Sequence, residues 1–167
     1  MPSDVIGVYP GTFDPFTYGH LDIVNRALHI IDNLVVGVAQ NTGKNTVFSL
    51  EERIDMVQEQ LHKIPLPKGK TLQVLPIPNL LINFAKDVNA GVIIRGLRAV
   101  SDFDIEFKLC SMNRRLDDSI ETMLIMTDEK YQFVSSSFVK EIVRLGGDIS
   151  GFVPQEIELK LKTKYGV

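Results

Sequence analysis

Five short aliphatic runs, each followed by a stretch of helical periodicity, constrain this chain more than any other feature. Val5–Tyr9, Leu34–Ala39, Leu72–Leu75, Val92–Ile94 and Thr122–Met126 read as strands buried on both faces. Between them, Leu21, Val24, Leu28 and Ile31 mark one face of a helix starting near Gly19. Ser49 and Glu52 form a capping box for a second helix, with Ile54, Val57 and Leu61 on one side. Leu80–Val88 reads as a shorter helix. Ser101 reads as the cap of a fourth, whose stripe runs through Phe103, Phe107, Cys110 and Arg114. Ser135 or Ser136 caps a fifth, stopped by Gly146-Gly147, and Pro154 falls in the first turn of a last helix ending near Tyr165.

Strands alternating with helices imply right-handed crossovers, and so an α/β fold: a doubly wound, parallel, five-stranded, Rossmann-like sheet with a C-terminal helix. The 167 residues contain no repeat, low-complexity tract or long linker, so residues 1–167 are expected to form a single domain. A hydrophobic fraction of 44% and a charged fraction of 23% suit a folded core and argue against disorder. The apolar runs are too short to cross a bilayer, and Met1-Pro2-Ser3-Asp4 lacks the pattern of a signal peptide. The single cysteine, Cys110, excludes an internal disulfide framework and fits a reducing, cytoplasmic location. A net charge of −3 offers no basic field for nucleic acid. Membrane and nucleic acid are therefore not expected partners.

Ligands of doubly wound sheets bind beyond the carboxyl ends of the strands, which directs attention to the loops there. The first, Pro10 to His20, has Gly11 for close backbone approach and His20 in the opening turn of a helix, where an anion is favoured. The plainer reading is a Gly/Pro-rich turn with a helix-end histidine. The fourth, Arg95-Gly96-Leu97-Arg98, directly follows a three-residue strand and offers two planar forks for phosphate. Alternatively, its arginines pair with Asp102 or Asp104. The fifth opens a helix with Ser135-Ser136-Ser137, three hydroxyls beside free N–H groups or simply an N-cap. Lys44, after the second strand, is either a solvated loop lysine or a cation serving the same site. Gly37 to Lys44 misses the P-loop spacing, and no G-x-G-x-x-G is present. No metal-ligand spacing links His20, His29 and His62, so a protein-held metal site is not expected. Cys110, Phe103, Phe107 and Met112 read as core packing. Lys160, Lys162 and Lys164 read as a solvated helix face.

Taken in order, these stretches resemble the phosphopantetheine adenylyltransferases, within the T/H-x-G-H nucleotidylyltransferase group. Tyr9 to Pro15 with Thr17-Tyr18-Gly19-His20 is similar to the opening motif, and Ile94 to Arg98 with Asp102-Phe103 to the arginine motif. Val134 to Ser137 with Val139-Lys140-Glu141 is similar to the late serine motif. Phe48 to Arg53 and Asn83-Phe84-Ala85 also match, so the resemblance spans essentially the whole chain.

The resemblance implies AMP transfer from ATP to 4′-phosphopantetheine, giving dephospho-coenzyme A and pyrophosphate, with Mg²⁺ held mainly through the ATP phosphates. It implies a catalytic set of His20 (the transition-state stabiliser), Lys44 and Arg98. It places Thr12, Lys44, Leu81 and Arg95 on phosphopantetheine. ATP falls to Thr12, Phe13, His20, Gly96, Leu97, Arg98, Glu106, Tyr131, Gln132, Phe133, Val134, Ser135, Ser136 and Ser137. It further implies a homohexamer, with coenzyme A as a candidate regulator. Ile105, Asn45-Thr46 and Asn79 depart from the usual pattern. Two rivals stand beside this expectation. One is a nucleotidylyltransferase acting on nicotinate mononucleotide or a sugar-alcohol phosphate; the other is a non-catalytic nucleotide or coenzyme A sensor.

Overall fold

The computed structural model describes residues 4–40, 43 and 45–167. In chain order the elements are β1 (Ile6–Gly11), α1 (Tyr18–Ile30), β2 (Asn33–Ala39), α2 (Leu50–Leu61), β3 (Thr71–Ile77), α3 (Leu81–Asp87), β4 (Val92–Leu97), α4 (Val100–Leu116), β5 (Glu121–Met126), α5 (Ser136–Arg144) and α6 (Gln155–Tyr165). All strand pairs are parallel, in the order β3-β2-β1-β4-β5. This is the doubly wound sheet the alternation predicts.

Successive strand residues face opposite layers, as the period of two requires. Tyr9, Val36 and Ile94 join a large core with α1, α2, α5 and α6, whereas Val8, Val35 and Ile93 face a smaller one with α3. The chain reverses direction across the sheet between β1 and β4. Those two strands share only the partner pairs Gly7↔Val92 and Val8↔Ile93. Beyond them both strands run on without pairing to each other, and the crevice characteristic of such a switch point opens there.

Several local expectations are corrected. Helix α4 starts at Val100 with Ala99 as an N-cap that makes no side-chain bond, so Ser101 is not the cap. Asp102 reaches back instead, accepting from the Arg98 backbone N–H at 3.3 Å and from its guanidinium at 3.1 and 3.2 Å. Phe103, Phe107 and Met112 are exposed and Cys110 is only half-buried, so none belongs to the core; the residues α4 largely buries are Glu106 and Asn113. Arg95, Gly96 and Leu97 lie on β4 itself, because the strand extends to pair Leu97 with Met126 of β5. Pro154 is the N-cap of α6, not its first turn. On α6, Lys160 and Lys164 pair with Glu59 and Glu52 of α2 at 2.7 and 2.8 Å, and Lys162 pairs with Glu158. That face is therefore partly an ion-paired seam.

Candidate active site

The crevice continues into a cleft of about 560 Å³ bounded by the carboxyl ends of β1 to β4 and the N-terminal end of α5. Its shape begins with the loop after β1. Phe13 adopts a left-handed backbone (φ 52°) and turns its ring back under Gly11, where a Cβ would stand 2.6 Å from the ring. Only glycine permits that approach. The Phe13 ring then packs on Tyr9, Phe16 and His20 at centroid distances of 5.6, 5.7 and 5.0 Å. This aromatic floor fixes the loop before any ligand arrives.

Thr17 caps α1, and its bonds to His20 define the imidazole. His20 Nδ1 accepts the Thr17 backbone N–H at 3.0 Å and lies 3.1 Å from the Thr17 hydroxyl. Because a backbone N–H can only donate, Nδ1 carries no proton and the neutral ring holds its proton on Nε2. Burial, reinforced by the charge of Arg98, pushes the His20 pKa down to about 4 from an ordinary 6.5. His20 is therefore a neutral hydrogen-bond donor near pH 7. The sign of the linkage follows: the unfolded chain takes up this proton below its ordinary value while the fold resists it down to about 4. Stability from this group is thus lost progressively as pH falls through that window. An NMR titration of the free protein from neutral pH to pH 5, near one unit above the folded value, should leave the His20 ring signals nearly unmoved. A midpoint at the ordinary histidine value would contradict this assignment.

The two arginines are already engaged. Arg95 presents Nε and Nη2 to Glu106 in a bidentate pair, both bonds 2.7 Å, on largely buried side chains. Arg98 is held by Asp102 and donates to the Val134 carbonyl at 3.4 Å. The expected pairing with Asp102 or Asp104 is thus met for Arg98 through Asp102 and not for Arg95, whose partner is Glu106, one helix turn further along α4; both arginines still line the cleft. A third ionic pair, missed in the sequence, also lines the cleft. Asp14, 3% exposed, accepts Lys140 Nζ at 2.7 Å and the Val47 and Phe48 N–H groups at 3.0 and 2.9 Å. Asp14 and Lys140 lie 126 residues apart, and no local pattern announces their meeting.

Of the residues singled out from the sequence, Thr12, Phe13, His20, Leu81, Arg95, Gly96, Arg98 and Val134 to Ser137 line the cleft. Glu106 supports it through Arg95. Leu97 closes the β4–β5 ladder. Tyr131 stacks on Tyr18 at 5.9 Å beside the start of α1, Gln132 follows it, and Phe133 is 88% exposed. Lys44 lies outside the described residues. Thr17, Asn45, Thr46, Ile77 and Thr127 also line the cleft without having been assigned a role from sequence. Among the described residues, no group of three or more His, Cys, Asp or Glu is placed to hold a metal ion. No helix among them is long and apolar enough to cross a membrane.

A five-stranded parallel sheet with a histidine donor and two arginines at its switch point defines a nucleotidyltransferase-type site. Residues 8–142 match the family model described as cytidylyltransferase-like. The fold is shared with the Plasmodium falciparum nicotinic acid mononucleotide adenylyltransferase solved with NaAD, at a TM-score of 0.71 and 17% identity, covering 99% of this chain and 97% of that one. Closer in sequence is the phosphopantetheine adenylyltransferase of Rhodospirillum rubrum, 53% identical over 165 residues, or 99% of this chain and 95% of that protein. That of Paracoccus denitrificans is 55% identical over 148 residues, 89% of this chain and 90% of its own length. The chain belongs to the phosphopantetheine adenylyltransferase family.

Proposed function

We propose that this cleft transfers AMP from ATP to 4′-phosphopantetheine by direct in-line attack. The observation that carries the reading is the unlike lining of the cleft on the two sides of β1, the strand that leads to His20. One wall, at the ends of β2 and β3, presents Ile77 and Leu81 and suits a pantetheine arm. The other presents Gly96, Arg98 and the serine-capped N-terminus of α5, groups suited to a triphosphate. Thr12 and Arg95 serve the acceptor phosphate, with Lys44 joining them.

An oxygen of the acceptor phosphate forms the new bond to the α-phosphorus. The bond from that phosphorus to the bridging oxygen breaks, and pyrophosphate leaves with the electron pair. A phosphate nucleophile is already ionised, so the site needs no general base. What remains is positioning and stabilisation of charge on the transferring phosphoryl oxygens, the part given to His20 Nε2–H and Arg98. Mg²⁺ fits as part of the nucleotide: the cleft's own carboxylate, Asp14, is committed to Lys140 and two backbone N–H groups. When bound, the ion would neutralise charge on the ATP phosphates. The reading also includes a cytoplasmic homo-oligomer, a hexamer by family resemblance. Exposed apolar side chains stand on two sides of α4, Phe103 stacked on Phe107 on one and Ile105, Leu109, Met112 and Leu116 on another, and further copies would cover them.

Pyrophosphate release from MgATP, measured with phosphopantetheine and with nicotinate mononucleotide as acceptors, tests the reading. Release with phosphopantetheine and mass-spectrometric appearance of dephospho-coenzyme A are expected. Turnover with nicotinate mononucleotide instead, or with neither, would overturn it.

A further inference from the structure

The segment Ser49 to Arg53 matches the family pattern but has so far served only as a helix start. Its last residue is unusual. Arg53 lies on α2 with 2% exposure, where a charged side chain belongs only if it is fully engaged. Its hydrogen-bond partners are backbone carbonyls. Nη1 donates to Thr12 at 2.8 Å and to Ala39 at 2.9 Å, and Nε donates to Phe48 at 3.3 Å. Ala39 ends β2 and Phe48 precedes the cap of α2, so one guanidinium grips both ends of the connection between those elements. The same guanidinium grips Thr12 on the cleft wall.

Asp14 completes the attachment from the other side. It takes the N–H groups of Val47 and Phe48, while Arg53 takes the Phe48 carbonyl. The peptide groups around Phe48 are therefore fixed in both senses, donor and acceptor. Asn45 and Thr46, which line the cleft, hang directly from this mount.

We infer that Arg53 is a positioning residue, acting through Thr12 and the 45–48 segment to set the acceptor side of the cleft. The inference rests on the acceptor assignment above for its kinetic part alone. A lysine lacks the fork to hold three carbonyls at once, and a methionine holds none.

Arg53→Lys and Arg53→Met test it, with thermal melts to establish folding. Phosphopantetheine and ATP are varied separately. Arg53→Met should lower kcat/KM for phosphopantetheine about 10- to 100-fold and raise KM for ATP several-fold less, because Thr12 is shared with ATP while the 45–48 segment is not, and Arg53→Lys should fall between it and the parent. A purely structural clamp would move both substrates equally, and that result, or no kinetic change, would overturn the inference. The second measurement uses no substrate. In the free protein, amide exchange at Val47 and Phe48 should quicken about tenfold or more in folded Arg53→Lys. Unchanged exchange would overturn the mount whatever the acceptor proves to be. Faster exchange in an enzyme that ignores phosphopantetheine would overturn the acceptor assignment and leave the mount standing.

Discussion

His20→Ala is expected to fold and still bind ATP, yet to lose about 10²–10³ in kcat, the loss typical of removing one preorganised donor to a developing oxyanion. The ring's proton sits on Nε2 because Nδ1 is occupied by the Thr17 N–H, and burial keeps the ring neutral. What alanine removes is therefore a directed hydrogen bond, not a charge. Since that bond strengthens as charge moves onto the phosphoryl oxygens, kcat should suffer far more than the KM for ATP. His20→Gln, which retains a donor of similar reach, should recover part of the loss. A full-rate alanine variant would remove His20 from the chemistry.

Arg95→Ala should be the other severe substitution, for two reasons that can be separated. It removes a cation from the acceptor side, and it strands Glu106, whose side chain is 11% exposed and loses both 2.7 Å bonds. A largely buried carboxylate left without its partner costs about 3 kcal/mol, less whatever solvent screening the partial exposure allows. It also places uncompensated negative charge beside two phosphate-bearing substrates. Arg95→Ala is thus expected to lower stability and to raise KM for phosphopantetheine about 100-fold. The double variant Arg95→Ala/Glu106→Gln should regain most of the stability but less of the KM. Equal recovery of both would mean that Arg95 acts only by neutralising Glu106. Steady-state kinetics and denaturant melts on the parent and the two variants decide between them.

Much of the architecture was legible because it rests on local rules. The Ser49–Glu52 capping box forms as written, with bonds of 2.8 and 3.2 Å, and Gly146 takes the left-handed conformation (φ 76°) just past α5. Strand alternation led to the sheet edge where the cleft lies. The remainder depended on tertiary partners. Serine is a better N-cap than alanine, but Asp102 is drawn to Arg98 and the helix begins before Ser101. The stripe on α4 is real but turned outward, because its periodicity records an amphipathic helix without saying which neighbour covers it. Thr17-x-x-His20 is a capping box with histidine in the glutamate's place, a spacing that could have revealed the tautomer from sequence. Arg53 had no such signal: a charge in a helical pattern reads as solvent-facing, and two of its three carbonyl partners, Thr12 and Ala39, are brought to it only by the fold.

The stereochemical course at the α-phosphorus tests direct transfer most sharply. With ATP made chiral at that phosphorus by isotopic or thio substitution, a single in-line displacement by the acceptor phosphate inverts the configuration. A covalent adenylyl-enzyme would require two displacements and return the original hand. Inversion in the dephospho-coenzyme A formed by the wild-type protein is the predicted result, and retention would contradict the account.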